Sequence, residues 1–363
     1  MPSSIMKNVL FITHKLQNYR IPILELIAKE RDINLTVAHS GKPKENKRGS
    51  FEEYQLLQKK VGPFLYYPTG FDEYIKRFDV VVCMFYLNNL SFLKLALLLR
   101  RKFRLIYWGI GVRASYNSNF DDPTIMNQVR YFLAKRSDAM LFYSEYARLK
   151  YIKKGLGEEK LFVMPNTVEV IPITNKPKKR DKILFIGSLY KQKKIFELLD
   201  SYKAAYLKCN KEPKELHIIG NGDEFNSVKN WITTNKLNHK IVLHGSIFEE
   251  QKLSTLFSSG LACISPGQAG LSVLKSFGYS VPFITHSDAI TGGERLNIVN
   301  KKNGILFQNY EDLSEIILSI FESPEKFKVM GENAKAFYDT HRTPKIMAQG
   351  FIDAVRKTTE KPI

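Results

Sequence analysis

The chain has 363 residues, 44% of them hydrophobic and 25% charged, which is long enough for two hydrophobic cores and excludes an intrinsically disordered protein. Its 55 Lys and Arg against 36 Asp and Glu give a formal net charge of +19, which favours an anionic partner: nucleic acid, a membrane surface or a phosphorylated small molecule. The three cysteines, Cys83, Cys209 and Cys263, lack the spacing of a zinc site, and neither a signal peptide nor a membrane span is predicted, so we expect a cytosolic protein.

Buried strands alternate with helices through the first half of the chain, and this alternation predicts a parallel sheet that is covered on both faces. Asp122 is expected to cap a helix that has Pro123 at its first position and ends near Arg136. A further helix is expected over residues 90–101. The predicted strands are 7–14, 33–39, 78–85, 104–108, 139–144 and 161–164.

Residues 165–180 separate the two halves of the chain, because they hold three prolines and a run of positive charge, as linkers often do. Afterwards the alternation resumes with the strand-like runs K-I-L-F-I-G, E-L-H-I-I-G, K-I-V-L-H-G and G-L-A-C-I. The sequence therefore predicts two similar parallel α/β domains in tandem. Ligands of such sheets bind at the carboxyl ends of the strands.

Four loops that contain glycine follow strands of the second domain. They begin at Gly187 (G-S-L-Y-K-Q-K-K), Gly220 (G-N-G-D-E), His244 (H-G-S) and Ser265 (S-P-G-Q-A-G-L). Glycine lets a ligand approach the backbone, Lys193 and Lys194 supply positive charge, and the helix from Leu271 supplies free amides. Together the loops favour a nucleotide-diphosphate site over four structural turns.

These motifs resemble those of the retaining glycosyltransferases of group 1, family 4. V-M-P-N-T-V-E resembles the family's P-N-G-V-D segment at the end of the first domain. F-I-G-S-L-Y-K-Q-K-K resembles its G-R-L-x-x-x-K-G element, whose lysine contacts the donor diphosphate, and this role carries over to Lys193. G-G-E-R-L-N-I-V-N-K-K-N-G-I-L-F resembles the P-E-I-V-x-x-x-x-N-G-x-L segment and places Glu294 in register.

The chain departs from the family at positions that matter for mechanism. When the segments are aligned on Pro282, the two signature glutamates of the family fall on Gly267 and Lys275. Ser188 stands where the family has an arginine, and Ile110 stands where relatives with W-G-H-G have a histidine. The sequence therefore resembles a divergent branch that lacks both glutamates.

The resemblance implies an α/β fold of the GT-B type, with two Rossmann-like domains that face a cleft. Residues 1–170 are then an acceptor domain, 171–180 a linker and 181–340 a nucleotide-sugar donor domain. Residues 341–363 form a C-terminal helix that packs back on the first domain.

The resemblance also implies how the donor is held. The diphosphate leaves the sugar, and Lys193 and the amides at the start of the helix neutralise its charge. Lys275 is either a further cation for the diphosphate or a structural lysine on the solvated face of the helix. No protein base is needed, and neither a cofactor nor a metal is expected. The residues implied for donor binding are Gly187, Ser188, Lys193, Gly220, Gly222, His244, Gly267, Gln268, Gly270, Leu271, Ser272, Lys275 and Glu294.

Acceptor contacts are expected from loops of the first domain. Lys15, Tyr19 and Arg20 follow the first strand, and Tyr116 follows the strand at 104–108. With Lys193, two further residues are candidates for a direct part in catalysis. Arg113 would place a cation near the donor phosphates or an anionic acceptor, and His14 is either a polar contact to the substrates or a loop histidine.

The basic first half and the resemblance together predict a peripheral enzyme on the inner face of the cell membrane. Its partners would be a nucleotide sugar, a lipid-linked glycan acceptor in surface polysaccharide or lipopolysaccharide assembly, and the anionic membrane surface. One alternative is a catalytically inactive GT-B scaffold for another transferase. Another is a nucleic-acid-binding protein, which only the charge favours. A further alternative is a nucleotide-sugar epimerase of GT-B fold, which would be expected to carry acidic and histidine catalytic residues in the cleft.

Overall fold

The computed structural model describes residues 5–43, 50–68, 70–114, 120–173 and 179–360. The chain divides into two compact units. The first comprises Met1–Arg113, Asp121–Asn166 and Pro344–Ile363, and the second comprises Ala114–Phe120 and Thr167–Thr343.

The strands of the first unit are β1 (Lys7–Ile12), β2 (Ile33–His39), β3 (Glu52–Gln55), β4 (Lys59–Val61), β5 (Phe64–Tyr66), β6 (Val80–Met84), β7 (Arg104–Gly109), β8 (Ala139–Phe142) and β9 (Leu161–Val163). Those of the second are β10 (Lys182–Ile186), β11 (Glu215–Ile219), β12 (Ile241–Gly245), β13 (Gly260–Ile264), β14 (Gln268–Ala269), β15 (Phe283–His286), β16 (Ile290–Thr291) and β17 (Gly304–Phe307).

The helices that precede the second unit are α1 (Ile21–Ala28), α2 (Phe71–Ile75), α3 (Leu90–Leu97), α4 (Met126–Arg136) and α5 (Glu145–Ile152). The remaining helices are α6 (Ile195–Lys208), α7 (Phe225–Thr234), α8 (Glu250–Ser258), α9 (Ser272–Gly278), α10 (Glu311–Glu322), α11 (Pro324–His341) and α12 (Pro344–Thr359). Short 3-10 turns lie at Asn18–Arg20, Glu158–Lys160, Lys191–Lys193 and Glu294–Asn297.

The first unit is built on seven parallel strands in the order β3-β2-β1-β6-β7-β8-β9. Its central strands are buried apolar runs such as V-V-V-C-M in β6, as a sheet covered on both faces requires. The strand order reverses between β1 and β6, where Val9 pairs with Val80 and Ile12 with Cys83. Ligands of open parallel sheets bind beyond the carboxyl ends of the strands at such a reversal.

The second unit repeats this topology with six parallel strands in the order β12-β11-β10-β13-β15-β17. Here the order reverses between β10 and β13, where Leu184 pairs with Cys263. The predicted fold class, two parallel α/β domains in tandem, is confirmed. Each sheet therefore has one reversal point at which a ligand site is expected.

The last helix, α12, packs on the first unit although it follows the second unit in the chain. Met347 and Phe351 are buried in the same core as Phe11 and Trp108, and the rings of Phe351 and Phe11 meet edge to face at 5.9 Å. Arg356 pairs with Asp32, and this ion pair fixes the helix against the start of β2.

Two predicted boundaries were wrong. α3 ends at Leu97 rather than near Arg101, and α4 begins at Met126 without a side-chain cap rather than at a cap on Asp122. The preceding turn is held differently, because the carboxylate of Asp121 pairs with Lys150 of α5. Thr124 Oγ1 accepts a hydrogen bond of 3.0 Å from the amide of Met126. Within the described ranges, no helix combines the length and the hydropathy that a bilayer crossing requires.

Candidate functional site

The loops that follow β10 and β13 meet at the reversal point of the second sheet. The amide of Gly267 donates to the carbonyl of Lys193 at 3.2 Å, and its own carbonyl accepts from the amide of Ile290 at 3.0 Å. A Cβ atom at residue 267 would lie 2.0 Å from the carbonyl oxygen of Gln192, so only glycine fits this position. The backbone is thus built around a glycine where the family alignment has its first glutamate.

The loops that follow β11 and β12 extend the same edge. The amide of Gly187 donates to the carbonyl of Ile219, and the amide of Gly220 donates to that of Gly245, at 3.0 and 2.8 Å. Gly220 lies so close to the carbonyl oxygen of Gly187 that a Cβ atom there would come within 1.9 Å of it. Gly222 packs in the same way against the carbonyl of Leu189. The four loops singled out in the sequence therefore lie together.

Lys193 is the buried cation of this edge. It ends the 3-10 turn Lys191–Lys193, is 7% exposed, and its Nζ lies 3.0 Å from the place that a Cβ of Gly187 would take. Burial lowers the pKa of this ammonium group to about 8. Among the described residues, no carboxylate pairs with it. A buried charge without a counter-ion is costly, and an anionic ligand would compensate that cost.

Lys194 is held elsewhere. Its backbone is left-handed, with φ 54°, and its ammonium group donates to the hydroxyl of Tyr310 at 2.6 Å and lies over the ring of that tyrosine. Of the two lysines that the sequence offered for a diphosphate, Lys193 is therefore the one whose ammonium group is available.

Lys275, the position of the family's second glutamate, is engaged in an ion pair. Its Nζ lies 2.7 and 2.6 Å from the two carboxylate oxygens of Glu250, on α8. The Lys275 side chain is 11% exposed, whereas that of Glu250 is 49% exposed. The charge of Lys275 is thus neutralised within the fold, and the carboxylate that faces solvent belongs to Glu250.

The other polar candidates of the second unit bind groups of their own loops. The side-chain oxygen of Gln268 accepts from the hydroxyl of Tyr190, and so joins the loops after β10 and β13. Glu294 is buried, and its carboxylate accepts from the amide of Gly292 at 3.0 Å, at the start of a 3-10 turn. Ser272 begins the short helix α9, and Gly270, Leu271 and Ser188 lie in the adjoining loops.

His244 belongs to a chain of hydrogen bonds on β11 and β12. Its Nε2 lies 2.8 Å from Nδ1 of His217, and Nε2 of His217 lies 2.9 Å from the carboxylate of Glu215, which also accepts from Lys182. The hydrogen bond from His217 lowers the pKa of Glu215 to about 2, and burial lowers the pKa of both histidines. An ionised Glu215 only accepts, so His217 donates to it and accepts from His244. Neutral His244 then keeps its lone pair on Nδ1.

A second candidate site lies at the reversal point of the first sheet. A cavity of about 250 Å³ opens beyond the ends of β1 and β6. Nδ1 of His14 lies 2.9 Å from Oε1 of Gln58, so His14 is fixed at the rim. The lining is otherwise mainly apolar and aromatic. Its residues are Ile12, His14, Gln58, Leu65, Met84, Tyr86, Asn88 and Phe92.

Arg20 is the buried cation of the first unit. Its guanidinium lies 4.6 Å from the ring centroid of Trp108, and Nη2 donates to the hydroxyl of Tyr143 at 2.9 Å. Nη1 is buried and has no hydrogen-bond partner among the described residues. Since Trp108 and Tyr143 come from β7 and the end of β8, this cation stands close to the carboxyl edge of the sheet.

Among the remaining acceptor candidates, Tyr19 joins this arrangement, because the guanidinium of Arg20 lies 5.2 Å from the centroid of its ring. Lys15 is exposed, and Tyr19 and Arg113 are half-buried. The carbonyl of Arg113 accepts from the amide of Asp121 at 2.8 Å. Tyr116 lies outside the described residues.

Sequence reasoning missed Glu250 and His217. Glu250 is 25 residues from Lys275 in the chain, so no local spacing could indicate the pair. His217 lies within the motif L-H-I-I-G, which was interpreted only as a buried strand. Its period-two relation to Glu215 on the same strand face was a usable signal.

Comparison with known proteins shows that the second unit is similar to a family of transferases. Residues 166–337 match the family model of the glycosyl transferases group 1. A stretch of 157 residues is 27% identical to an uncharacterized glycosyltransferase of Methanocaldococcus jannaschii and spans 42% of this chain and 42% of the relative. A stretch of 222 residues is 26% identical to the poly(glycerol-phosphate) alpha-glucosyltransferase of Bacillus subtilis and spans 57% of this chain and 31% of that protein. The chain therefore spans less than half the length of either curated relative.

Solved structures share the fold over almost the whole chain. The crystal structure of Anabaena HepE in complex with UDP superposes with a TM-score of 0.68 at 14% identity and covers 97% of this chain and 100% of HepE. At this level of identity the likeness shows the fold alone, which is GT-B.

Proposed function

Because residues 166–337 match the family model of the glycosyl transferases group 1 and the chain has the GT-B fold, we propose that this protein is a glycosyltransferase that takes its sugar from a nucleotide-diphosphate sugar. Residues 181–340 would be the donor domain and residues 1–170 the acceptor domain. The conclusion rests on both the family match and the chemistry of the site.

The observation that carries the proposal is the buried ammonium group of Lys193. It lies at the reversal point of the second sheet, beside Gly187, without a carboxylate partner among the described residues. In a poorly solvated site a fixed cation stabilises a diphosphate much more strongly than it does in water. The close-packed loops with Gly187 and Gly267 leave backbone rather than side chains around the phosphates.

In the proposed reaction the bond between the anomeric carbon and the diphosphate oxygen breaks, and a bond forms to an acceptor hydroxyl oxygen. The proton of that hydroxyl moves to the departing diphosphate. We propose retention at the anomeric carbon, as the family resemblance implies. The proposal assigns the neutralising charge to Lys193 rather than to a metal ion, so activity should survive EDTA.

UDP-sugars are the first donors to test, because HepE was crystallised with UDP-glucose as well as with UDP. For the acceptor we propose the cavity that His14 borders, with the guanidinium of Arg20 as a counter-ion for an anionic acceptor. This fits a phosphate-bearing acceptor such as the name of the Bacillus subtilis relative describes. A lipid-linked glycan of surface polysaccharide or lipopolysaccharide assembly would also satisfy these groups.

Thermal unfolding in the presence of UDP-, GDP-, TDP- and CMP-sugars tests the donor site, since a ligand that binds only the folded state raises its melting temperature. We expect one nucleotide class to stabilise the protein and Lys193→Ala to abolish the effect. Lys191→Ala is the matched control, because Lys191 is exposed in the same turn. If no nucleotide raised the melting temperature, the donor site would be refuted.

A second candidate function is a GT-B scaffold without activity. It is favoured by Gly267 and Lys275, which stand where the family has its two glutamates. The two functions differ in turnover. Release of the nucleoside diphosphate from the stabilising donor, lost in Lys193→Ala, would exclude the scaffold. Donor binding without any release, over a panel of phosphate-bearing and glycan acceptors, would favour it.

A further inference from the structure

A second cavity lies at the opposite edge of the first sheet, where the strands begin. It has a volume of about 360 Å³ and lies between the end of α3 and the first residues of β7 and β8. Arg104 opens β7, and Asp138 directly precedes β8. We call it the arginine cavity, and its lining is Ala96, Leu98, Leu99, Arg101, Phe103, Arg104, Arg136 and Asp138.

The arginine cavity has more positive than negative charge. Its one carboxylate, Asp138, is shared by Arg101 and Arg104 at 2.9 and 3.0 Å and also accepts from the amide of Leu105. Nε of Arg136 donates a hydrogen bond of 3.0 Å to the carbonyl of Ala96, and this neutral acceptor does not balance the charge of the guanidinium. Nε of Arg101 is buried and has no acceptor among the described residues. The lining therefore carries two positive charges in excess, and an anion would balance them.

The surface around the arginine cavity is both basic and apolar. Arg100, Lys102 and Lys135 are exposed beside it. Leu99, which lines the cavity, is 94% exposed, and Leu97 is 52% exposed. The guanidinium of Arg136 lies over the exposed ring of Phe132 at 5.7 Å. Exposed leucines set among arginines are typical of proteins that lie on an anionic bilayer, where cations meet phosphates and apolar side chains enter the acyl boundary.

We propose that the arginine cavity binds the phosphate of an anionic phospholipid headgroup and that Leu97 and Leu99 insert beside it. This inference deepens the membrane partner expected from the net charge and is independent of Lys193, because the two sites lie in different units. A nucleic acid would satisfy the arginines equally well, but its solvated backbone offers nothing to Leu97 and Leu99. The lipid is therefore the favoured source of the phosphate.

Flotation of the full-length protein with vesicles tests the proposal, using phosphatidylcholine alone and an equal mixture with phosphatidylglycerol. We expect binding to the mixed vesicles only, and weaker binding at high salt. Arg136→Gln removes a charge without depriving Asp138 of a partner, and it should weaken binding about fivefold. Leu99→Ser should weaken it roughly tenfold, since one apolar side chain would no longer be buried.

The controls lie on exposed helix faces of the second unit. Lys229→Gln on α7 and Leu207→Ser on α6 remove the same kinds of groups and should leave vesicle binding unchanged. Lys193→Ala should also float like the parent protein, so loss of donor binding and loss of lipid binding are separable. Unchanged thermal unfolding of Arg136→Gln and Leu99→Ser would show that both variants are folded.

Three results would overturn the proposal. One is equal binding to neutral and anionic vesicles, and another is binding that neither Arg136→Gln nor Leu99→Ser weakens. The third concerns the source of the phosphate. If inorganic phosphate or an oligonucleotide stabilised the protein and Arg136→Gln removed that stabilisation, while mixed vesicles did not bind, the cavity would take a soluble phosphate instead.

Discussion

The buried ammonium group of Lys193 makes donor binding depend on pH. Its pKa in the folded protein is about 8, against 10.5 for an ordinary lysine, because burial disfavours the charged form. In the free protein the group loses its charge as pH rises through about 8. We expect the affinity for the nucleotide sugar to fall above that pH, by up to about tenfold per pH unit. Isothermal titration at several pH values measures this, and an affinity that stayed constant as pH rose through about 8 would contradict it.

The lowered pKa of Lys193 makes the stability of the fold increase with pH, whereas it makes donor binding weaken. Between pH 8 and 10.5 the unfolded chain holds a proton on Lys193 that the folded chain has lost, so the contribution of this group to stability rises with pH in that window. Lys193→Met should therefore raise the free energy of unfolding at pH 7, by on the order of 2 kcal/mol. A variant that bound no donor and was also less stable would contradict this account. Urea denaturation at pH 7 decides between the two outcomes.

The ion pair between Lys275 and Glu250 is predicted to be structural in part. Glu250→Gln leaves a mostly buried ammonium group without its counter-ion, and we expect it to cost about 1 to 2 kcal/mol because solvent still reaches one side. Glu249→Gln is the matched control, since Glu249 pairs with the exposed Lys252. The double variant Glu250→Gln, Lys275→Met should recover most of the loss. Denaturant melts of the four proteins test this, and equal losses in both single variants would refute it.

At the scale of the element, the conformation of the loop between β13 and α9 is set by its contact with the loop that follows β10. Gly267 touches the turn Lys191–Lys193, whereas a Cβ on Gly270 would have nothing within 4 Å of it. Both glycines stand in one motif, S-P-G-Q-A-G-L, yet only one is required by packing. The first of them fixes the distance between the loops that follow β10 and β13.

Gly267→Ala should therefore destabilise the protein by roughly 2 to 4 kcal/mol and abolish nucleotide-sugar binding, because the carbonyl of Gln192 must move away. Gly270→Ala should change stability by less than about 0.5 kcal/mol. Thermal unfolding with and without the donor measures both effects. Similar losses in the two variants would mean that the contact between the loops does not matter.

At the scale of the whole molecule, each unit has a hydrophobic core of its own. The core of the first unit includes Trp108 and Phe351, and the clusters of the second surround β10 and β13. α12 contributes to the first core although it ends the chain. The two cores should therefore respond separately to a ligand and to a mutation.

Calorimetry should resolve two transitions. A nucleotide sugar at about 100 times its dissociation constant should stabilise only the second unit, by about 2.7 kcal/mol. Phe351→Ala should lower the free energy of unfolding of the first unit only, by about 3 to 5 kcal/mol, because it leaves a cavity in the core of that unit. Gln349→Ala, an exposed change on the same helix, is the control. A single transition that shifts as a whole would contradict this prediction.

The sequence by itself determined the architecture, because hydrophobic periodicity and glycine position are local properties of the chain. The runs V-V-V-C-M and K-I-L-F-I-G predicted buried parallel strands. The glycines at the ends of such runs, Gly187 and Gly220, predicted loops that a ligand can approach. Lys193 could be selected because the loop motif marks it. The resemblance to the group 1 glycosyltransferases then indicated that the two α/β domains form a GT-B fold.

Only the tertiary structure decided which charges are available, because pairing depends on residues far apart in the chain. The ammonium group of Lys275 pairs with Glu250, 25 residues away in the chain, and that of Lys194 donates to the hydroxyl of Tyr310. Asp122 was predicted to cap a helix, but α4 begins at Met126 without a side-chain cap, and the adjacent Asp121 pairs with Lys150. The excess charge of the arginine cavity arises in the same way, since residues 96–104 and 136–138 meet only in the folded sheet. Local patterns fix where an element lies, whereas burial and counter-ions fix what its charges can bind.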